Sequence, residues 1–447
     1  MKSLKRGSRL ITLMISVFII GMIVLIAKIQ MEASFYISNS GSRNLGYIYD
    51  RNGDIIFDDN AENGQYPDGY FKDLGNLIGD ASGQMTNTLV AKNLEKLSNY
   101  SFTSGITYKG GKAAIYSTLS HDANEAVYSA FGDKDGCAIA YNYKTGEILV
   151  CVSRPSVDPL KGYEDLAEGS LLCKAFYKTV PGSTQKIATL ISAVETMGMD
   201  ALMEKSFTCN GVYTNNTGLD IVCHNEYGHG TQNIREAFAN SCNPFFAQLV
   251  EDSGWSLSDI EDCYKKLGYS VNGSEETEIS INGIISSKAS TTLEDKNEFN
   301  TQWSCIGQGT SLVSPCQLMM WQSAIANESG KSTMPYLIDH VTNVNGRTVE
   351  NASTNYSEQL FSSQTASEVK DIMLENGLNY TGKIPGYTLG IKSGTAQVKD
   401  GKEENSLLTG FVDDKDFPIA FAILIENRES YDVSTEYIAS VILDSLS

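Results

Sequence analysis

The chain has little positive charge for its size. Its 447 residues include 34 lysine and arginine residues against 54 aspartate and glutamate residues, so the formal net charge is −20. Beyond the first nine residues no run of basic side chains occurs. Because nucleic-acid binding depends on clustered cations that contact phosphates, the composition excludes a nucleic acid as the partner.

Histidine is also scarce, and no Gly-x-Ser-x-Gly sequence is present. That pentapeptide positions the nucleophile of many serine hydrolases that use a histidine base. His224 and His229 lie in a glycine-rich loop, where a structural role is the simpler interpretation. A Ser-His-Asp hydrolase is therefore disfavoured. The four histidines are His121, His224, His229 and His340.

Cysteine occurs nine times, an odd number, and never in the Cys-x-x-Cys spacing. Cys209 and Cys223 bracket a loop rich in glycine and asparagine, and a disulfide could join them. Zinc bound by Cys209, Cys223, His224 and His229 is the less favoured alternative, since the spacing fits no standard zinc finger. Other cysteines are predicted to be small buried apolar side chains: Cys137, Cys151 and Cys173.

One long apolar run lies near the N-terminus. It covers 18 residues, 10–27, and ends at Lys28, a length that spans a bilayer core. The nine residues before it carry four cations and no acid. This asymmetry predicts a cytoplasmic tail at 1–9, a transmembrane anchor at 10–28 and the rest of the chain outside. A cleaved signal peptide is the alternative, but the run is long for a signal core and no small-x-small site follows.

Two further regions follow the anchor. Residues 31–111 are predicted to form a small N-terminal pedestal domain with a hairpin at 46–58 and one helix at 86–100. Residues 112–447 show stronger patterning, with strands at both ends and a mostly helical and loop region at 200–380. This order predicts one sheet assembled from the two ends of the domain, with helices packed beside it.

The boundaries of the main elements follow from local patterns. Residues 137–153 read as strand, tight turn and strand, and residues 387–398 as one strand. Residues 407–427 read as two strands about a turn. The chain closes with an amphipathic helix at 434–446, for which Ser434 and Thr435 are candidate caps.

The stretch "VPGSTQKIATLISAVE" places a serine and a lysine at the start of a helix. Ser183 and Lys186 are three residues apart, so their side chains can meet on one face. Burial and the positive end of the helix dipole both disfavour the charged form of Lys186. A neutral amine can take the proton of Ser183, whose hydroxyl needs a base to become a nucleophile. The backbone N–H groups at the same helix start can stabilise an oxyanion.

Two later segments add groups that suit the same chemistry. In "NSCNPFF", Ser241 can relay a proton, and Asn243 can hold a substrate amide. In "GIKSGTAQV", Lys392 is followed by hydroxyl residues and can bind a carboxylate. The missing side chain of Gly394 is predicted to let a substrate backbone lie close to the strand. Ser-x-x-Lys alone is common, but these three elements in this order are typical of penicillin-binding proteins and class A β-lactamases.

The chain resembles the class B penicillin-binding proteins, membrane-anchored peptidoglycan D,D-transpeptidases, and most closely their smaller PbpA-like branch. The segments "GYIYDRNGDII" and "IGQGTSLVSP" are similar to further family motifs, and the likeness covers nearly the whole chain. There is no room for a glycosyltransferase domain, which argues against class A. The resemblance implies an α/β (α+β) transpeptidase domain whose antiparallel sheet is flanked by helices.

The resemblance also implies roles for single residues. Ser183 would attack the carbonyl between the two D-alanines of a stem peptide, with Lys186 as the base. Ser241 and Lys392 would pass the proton to the leaving D-alanine, and Asn243 would hold the amide of the donor peptide. An amine of a neighbouring stem would then resolve the acyl-enzyme and form a cross-link. A β-lactam would acylate the same serine and remain attached.

Other implied contacts concern the substrate's charged atoms. Lys392, Ser393 and Thr395 would receive the terminal carboxylate, and Gly394 would lie beside them. The backbone N–H groups of Ser183 and Thr395 would form the oxyanion hole. No metal or organic cofactor is implied. The implied partners are D-Ala-D-Ala stem peptides, β-lactams, the lipid bilayer of a bacterial cytoplasmic membrane and a polytopic glycan polymerase.

Two positions depart from the family pattern. Cys242 stands where serine or aspartate is commoner, and its side chain is expected to point away from the site. Ser393 stands where threonine is commoner, and this change keeps the hydroxyl. Neither departure removes a functional atom, so the implied chemistry is retained.

Several alternative functions use the same motifs. Glu375–Asn379 matches the Glu-x-x-Leu-Asn signature of class A β-lactamases, but it lies too close in sequence to Lys392 for the loop that carries this glutamate. The match is therefore attributed to chance. A D,D-carboxypeptidase, which resolves the acyl-enzyme with water, stays open. So does a β-lactam sensor or idle scaffold, although the intact motifs argue against it.

Overall fold

The computed structural model describes most of the chain, and its element bounds are as follows. The described residues are 2–31, 45–62, 64–98, 100–101, 105–106, 111–399, 401–427 and 433–447. The strands are β1 Tyr47–Tyr49, β2 Ile55–Asp58, β3 Tyr100–Ser101, β4 Gly105–Ile106, β5 Ala114–Ser117, β6 Gly136–Asn142, β7 Ile148–Arg154, β8 Phe207–Cys209, β9 Val212–Thr214, β10 Asp220–Val222, β11 Gly230–Gln232, β12 Tyr269–Val271, β13 Glu278–Ile281, β14 Ile284–Ser287, β15 Ala289–Thr291, β16 Leu312–Val313, β17 Ile338–Thr342, β18 Thr348–Asn351, β19 Leu389–Val398, β20 Glu403–Val412 and β21 Ile419–Ile425. The α-helices are α1 Lys2–Met31, α2 Gly75–Ile78, α3 Leu89–Lys92, α4 Leu94–Leu97, α5 His121–Ala130, α6 Lys186–Met197, α7 Met199–Met203, α8 Ile234–Ala239, α9 Asn243–Glu251, α10 Leu257–Lys266, α11 Phe299–Ile306, α12 Pro315–Ala326, α13 Ser363–Gly377 and α14 Thr435–Leu446.

The central sheet has five antiparallel strands in the order β19-β20-β21-β6-β7. Strand β21 is apolar and buried along its whole length, as expected for a central strand covered on both faces. The strands come from both ends of the region 136–425, as the sequence predicted. The predicted pairs of strands at 137–153 and 407–427 and the strand at 387–398 are confirmed as β6–β7, β20–β21 and β19.

Helices cover both faces of the central sheet. Along β21, Phe421 and Ile423 pack with apolar residues of α5 and α14. The alternate residues Ala422 and Leu424 belong to the larger core that includes α6, α12 and α13. This alternation is the period-two pattern of a strand, and it gives the predicted antiparallel sheet flanked by helices. The closing helix α14 begins at Thr435 because the side chain of Ser434 accepts a hydrogen bond from Tyr437 N.

A second five-stranded sheet has the order β18-β17-β5-β1-β2. Its β1–β2 pair is the hairpin predicted from the sequence, and the carboxylate of Asp50 closes the turn by accepting hydrogen bonds from Asn52 N and Asp54 N. Strands β17 and β18 lie far along the chain, within 338–351, yet they extend this sheet. The domain boundary at residues 111 and 112 therefore stays a prediction.

The predicted single helix at 86–100 is wrong. Two one-turn helices, α3 and α4, take its place, and Asn93 separates them. The Asn93 side chain donates hydrogen bonds to Leu89 O at 3.0 Å and to Asn282 O at 2.9 Å. Asparagine competes with helix hydrogen bonds in this way, and here it ties the segment to a distant loop.

The region 200–380 contains more strand than its sequence predicted. Besides its helices it holds eleven short strands, β8 to β18, most of them in small sheets of two or three strands. Strands of three residues are too short to display a period-two pattern in sequence. One of these pairs, β8 with β11, brings Cys209 opposite Gly230. Helices α8 and α9 follow this strand pair directly in the chain.

Helix α1 is long and apolar enough to cross a membrane. Its segment Ile11–Ile29 has a mean hydropathy of 2.5, and none of it is buried against the other described residues. An apolar helix with no protein surface to cover it is the pattern expected of a lipid-facing segment. The structure thus contains the predicted N-terminal apolar helix.

Candidate active site

Ser183 lies in a 3₁₀ turn, Gly182–Gln185, which leads directly into helix α6. Residues three apart eclipse each other in 3₁₀ geometry, so Lys186 lies beneath Ser183. The Nζ atom of Lys186 is 2.7 Å from Oγ of Ser183. The sequence predicted a meeting of these two groups at a helix start, and the structure brings them together.

Lys186 is fully buried and surrounded by neutral acceptors. Its Nζ lies 2.9 Å from Ser241 O and 2.7 Å from Asn243 Oδ1. Burial, and to a smaller extent the charge of Lys392, hold the pKa of Lys186 well below its usual value of 10.5. Ion pairs in the described part of the chain include neither of these lysines. The amine can therefore be neutral and accept a proton from Ser183.

Ser241 joins the two lysines. It follows α8 in a left-handed backbone conformation, with φ of 50°, and this turn directs the chain into α9. Its Oγ accepts a 3.0 Å hydrogen bond from Lys392 Nζ and lies 3.3 Å from Lys186 Nζ. Burial lowers the pKa of Lys392 to about 7. Ser183, Lys186, Ser241 and Lys392 thus form a continuous line of groups along which a proton can move.

Strand β19 carries the third predicted segment and lies at the edge of the central sheet. Lys392 Nζ also donates to Ser393 O at 2.9 Å, and Ser393 Oγ accepts a 2.7 Å hydrogen bond from the hydroxyl of Tyr380. Because an edge strand pairs on one side only, alternate N–H groups of β19 face away from β20. Thr395 is exposed on this strand and lines the same cleft as Ser183.

The interpretation of Gly394 needs correction. A Cβ atom at this position would lie 2.9 Å from Pro181 O and 3.1 Å from Ser183 N. The missing side chain therefore allows β19 to approach the Ser183 turn itself, whereas the sequence interpretation assigned that space to a substrate backbone. The sequence correctly indicated a close approach but not the group that makes it, since the neighbour lies about two hundred residues away in the chain.

The end of helix α11 supports the Ser183 turn from another side. Gly307 has φ of 110°, and a Cβ there would lie 1.7 Å from Gly182 O. Only glycine combines this backbone conformation with so close an approach. The next residue, Gln308, lines the cleft. The segment similar to the family's Ile-Gly-Gln-Gly loop is thus part of the site.

A cleft of about 600 Å³ contains the predicted groups. The lining residues predicted from the sequence are Ser183, Ser241, Asn243, Ser393, Gly394 and Thr395. Sequence reasoning missed others: Asp220, His224, Phe299, Trp303, Gln397 and Glu404. Phe299 and Trp303 stack with ring centroids 5.5 Å apart, one helical turn from each other. The spacing of these two aromatic residues in the sequence could have indicated that they share one helix face. The other missed residues reach the cleft only through tertiary contacts, which the sequence does not show.

The β-lactamase-like glutamate does not reach this cleft. Glu375 lies on α13, is exposed, and forms an ion pair with Arg235 at 2.8 Å. It is absent from the residues that line the cleft. The match to the lactamase signature is therefore a chance similarity, as the sequence indicated.

The cysteines form no disulfide, because all nine are free and buried. The burial predicted for Cys137, Cys151 and Cys173 is confirmed, and the suggested bridge between Cys209 and Cys223 is wrong. The thiols of the latter two residues instead lie close to two further potential ligands, His229 and Cys242. The Cys242 side chain is fully buried.

Comparisons with known sequences agree with this geometry. Residues 136–444 match the penicillin binding protein transpeptidase domain family. Stage V sporulation protein D of Bacillus subtilis is 30% identical over 330 residues, which are 69% of this chain and 48% of that protein. The peptidoglycan D,D-transpeptidase PbpA of Mycolicibacterium smegmatis is 25% identical over 352 residues, 73% of this chain and 69% of that protein. The chain thus spans about half the length of the first of these relatives.

Solved structures share the fold. Penicillin-binding protein A of M. tuberculosis, in its imipenem acyl-enzyme complex, aligns with a TM-score of 0.75 at 19% identity, over 90% of this chain and 99% of that one. The D,D-transpeptidase domain of a peptidoglycan glycosyltransferase from Eggerthella lenta aligns with a TM-score of 0.74 at 22% identity, over 90% and 97%. With a family match over more than half of its length, the chain belongs to the penicillin-binding protein transpeptidase family.

Proposed function

We propose that this protein is a serine D,D-transpeptidase that cross-links peptidoglycan stem peptides and is acylated by β-lactams on Ser183. One observation carries the proposal: a fully buried amine, Lys186 Nζ, lies 2.7 Å from Ser183 Oγ beside an open cleft. The names of its relatives support the reaction, since one is called a peptidoglycan D,D-transpeptidase and a structural neighbour is an imipenem acyl-enzyme.

The first step forms the acyl-enzyme. Ser183 Oγ attacks the carbonyl carbon between the two D-alanines, and its proton moves to the neutral Nζ of Lys186. The carbonyl oxygen becomes an oxyanion, which the backbone N–H groups of Ser183 and Thr395 stabilise. The location of Ser183 in the turn before α6 and of Thr395 on the edge strand β19 supports this assignment.

Collapse of the tetrahedral intermediate then breaks the peptide bond. The nitrogen of the departing D-alanine takes a proton through Ser241, which lies between Lys186 and Lys392. Protonated Lys392, together with the hydroxyls of Ser393 and Thr395, holds the terminal carboxylate during this step. The donor peptide remains bound to Ser183 as an ester.

The second step resolves the ester. An amine of a neighbouring stem peptide attacks the ester carbonyl, loses a proton to Lys186, and releases the Ser183 hydroxyl with a new amide cross-link. Asn243 holds the amide of the donor peptide in place. A β-lactam follows only the first half of this sequence, because its ring opens without releasing a separate leaving group. The opened ring stays in the cleft and blocks the acceptor.

We also propose a location and an organisation for the chain. Helix α1 anchors the protein in a bacterial cytoplasmic membrane, with residues 1–9 inside, 10–28 in the bilayer and the remainder outside. The charge asymmetry around the apolar segment supports this orientation. Residues 31–111 act as a pedestal for the transpeptidase domain at 112–447. A polytopic glycan polymerase is the proposed membrane partner, and co-purification in mild detergent tests it.

The proposed reaction has a direct test. The purified chain is incubated with fluorescent penicillin, and mass spectrometry locates the modified residue and its lifetime. We expect a stable adduct on Ser183 and none in Ser183→Ala. Rapid turnover of the label would indicate a β-lactamase. Donor and acceptor stem peptides then separate the remaining functions: a cross-linked product supports a transpeptidase, free carboxylic acid a carboxypeptidase, and neither product a sensor or scaffold.

A further inference from the structure

Behind the Ser183 turn lies a fully buried glutamine, and both polar atoms of its side chain have partners. Gln185 is the last residue of the 3₁₀ turn Gly182–Gln185. Its Oε1 accepts a 2.5 Å hydrogen bond from the hydroxyl of Tyr269, and its Nε2 donates to the hydroxyl oxygen of Tyr264 at 3.1 Å. Both tyrosines are fully buried, and their rings stack with centroids 4.7 Å apart. The turn that carries the nucleophile is therefore held from inside the core.

The hydrogen bonds of this group run in one direction. Thr189 donates its single hydroxyl hydrogen to Cys305 O at 2.6 Å, so its Oγ1 accepts from the hydroxyl of Tyr264, which is 2.8 Å away. Tyr264 then has no hydrogen left for Gln185 and accepts from Nε2, while the amide oxygen accepts from Tyr269. Each donor thus has one assignment. We call Tyr269, Gln185, Tyr264, Thr189 and Cys305 O the Gln185 network.

The Gln185 network joins the elements that enclose the Ser183 turn. Its tyrosines lie on α10 and β12, its threonine lies on α6, and its terminal carbonyl lies on α11. The end of α11 packs directly on the turn, since a Cβ added at Gly307 would lie 2.8 Å from Gln185 Cβ. Burial holds the pKa of both tyrosine hydroxyls well above the usual value of 10.0. The hydroxyls therefore keep their hydrogens, and the network supports the turn without titrating near neutral pH.

We propose that Gln185 is a positioning residue for the acylation step, which it affects through the Ser183 turn without touching the substrate. Gln185 lies between Ser183 and Lys186, so a rotation of the turn changes the 2.7 Å distance between Ser183 Oγ and Lys186 Nζ. Misplacing reacting atoms by about 1 Å can cost on the order of a hundredfold in rate. Asn243 and Thr395, which line the cleft, lie on other elements. This role rests on the proposed function, and it predicts a loss of rate with substrate binding retained.

Acylation of the full chain in detergent by penicillin G tests this role. Rapid-mixing measurements at several drug concentrations separate the limiting acylation rate from the apparent binding constant. In Gln185→Met, the limiting rate should fall by about tenfold or more, and the binding constant should stay within about twofold of wild type. Mass spectrometry should show the same final fraction of acylated chain as in wild type. A partly misfolded variant would instead lower that fraction and leave the rate of the remainder unchanged.

Gln322→Met is the matched control. Gln322 is a fully buried glutamine on α12 that donates to Leu318 O of its own helix at 3.3 Å. Its substitution should leave the limiting acylation rate at the wild-type value. Tyr269→Phe removes the hydroxyl that donates to Gln185, and it should slow acylation by about threefold. The double variant with Gln185→Met should be no slower than Gln185→Met alone, because both changes remove the same hydrogen bond.

Several results would overturn the positioning role. One is a folded Gln185→Met chain that is acylated at the wild-type rate, and another is equal slowing in Gln322→Met. If Gln185→Met does not fold, Tyr269→Phe decides, and an unchanged limiting rate there refutes the role. Effects that multiply in the double variant would show that the two residues act independently. A wild type without an adduct on Ser183 would refute the proposed function and this role with it, whereas a labelled wild type with an unaffected Gln185→Met refutes the role alone.

Discussion

The amine of Lys392 donates a 3.0 Å hydrogen bond to the hydroxyl of Ser241, and the other side of that hydroxyl faces the amine of Lys186 at 3.3 Å. Two buried amines thus share one neutral group. Burial disfavours protonation of both amines, and the charge of Lys392 further disfavours protonation of Lys186. At neutral pH the two lysines can therefore differ in protonation. Lys186 stays neutral and can act as a base, while Lys392 is protonated part of the time.

The first prediction concerns the pH dependence of acylation by penicillin G. The second-order rate constant should fall at low pH as Lys186 becomes protonated and ceases to act as a base. It should also fall above about pH 7, because Lys392 has a pKa of about 7 and, in the proposed mechanism, its charge holds the carboxylate of the drug. Stopped-flow or label-competition measurements across pH give the profile.

Lys392→Arg is the matched control for this profile. Arginine keeps its charge throughout the accessible pH range, so the decline above pH 7 should disappear in a variant that still folds by circular dichroism. A wild-type rate that stays constant between about pH 6 and pH 9 would contradict the assignment of charge to Lys392.

The second prediction concerns stability. Folding lowers the pKa of Lys392 from 10.5 to about 7, so between these values the unfolded chain binds more protons than the folded one. The free energy of unfolding therefore rises with pH between about 7 and 10.5. Below about pH 7 the folded chain bears the full cost of burying a charged amine. From about pH 7 to about pH 10, the wild type should gain on the order of 4 kcal/mol relative to Lys392→Met.

Urea denaturation of both proteins at several pH values measures this gain. Titration of tyrosines and cysteines away from the two lysines affects both proteins alike, so the difference reports the protonation of Lys392 together with its effect on Lys186. A difference in unfolding free energy that does not change with pH would mean that Lys392 is not titrating in this window.

The third prediction tests the close contact behind the Ser183 turn. Gly307→Ala places a Cβ 1.7 Å from Gly182 O at a φ of 110°. The backbone must shift, so the unfolding free energy should fall by about 3 kcal/mol or more and acylation by at least about tenfold. Urea denaturation and penicillin labelling measure the two effects.

Gly198→Ala provides the comparison for that variant. Gly198 ends the same helix that begins at Lys186, has φ of 78°, and has open space around the added Cβ. Its ψ of 152° lies in a region that glycine alone adopts readily, so its substitution should cost about 1–3 kcal/mol, but it should leave acylation unchanged. Equal effects at both positions would show that backbone conformation, and not the contact with Gly182, accounts for the loss.

The fourth prediction concerns Tyr380 as a positioning residue. Its hydroxyl donates to Ser393 Oγ at 2.7 Å and so fixes the direction in which Ser393 can donate. Tyr380→Phe should weaken recognition of the β-lactam carboxylate by about fivefold, equivalent to about 1 kcal/mol. The change should appear in the apparent binding constant, with the limiting acylation rate retained. Tyr387→Phe, whose hydroxyl contacts Asp444 at the surface, should behave as wild type.

The sequence predicted the groups of the site better than their surroundings. Ser183 and Lys186 are neighbours on one turn, so local geometry alone brings them together. Placing Ser241 and Lys392 beside them required the family resemblance, because no local pattern relates segments so far apart. The hydroxyl of Tyr380 reaches Ser393 across the segment that leads into β19, and the thiol of Cys242 lies close to those of Cys209 and Cys223. A single sequence carries no signal for such contacts.

The elements of the fold likewise fall into those that the sequence predicted and those that it missed. Strands β6, β7, β20 and β21 were predicted because their apolar runs are long and bounded by clear turns. The short strands of the region 200–380 and the break at Asn93 were missed, since tertiary hydrogen bonds decide them. Prediction therefore succeeded where local pattern and burial agree, and failed where a partner far along the chain determines the conformation.

The strand order of the central sheet has a consequence for biosynthesis. β6 pairs with β21, so the first strand pair of this sheet to be synthesised has no edge partner until nearly the whole chain has been made. Until then, an apolar ribbon is left uncovered and prone to aggregate. A chaperone that shields residues 136–154 from the ribosome's or translocon's exit onward should raise the yield of folded chain, and a nascent chain stalled before β21 should be rapidly degraded.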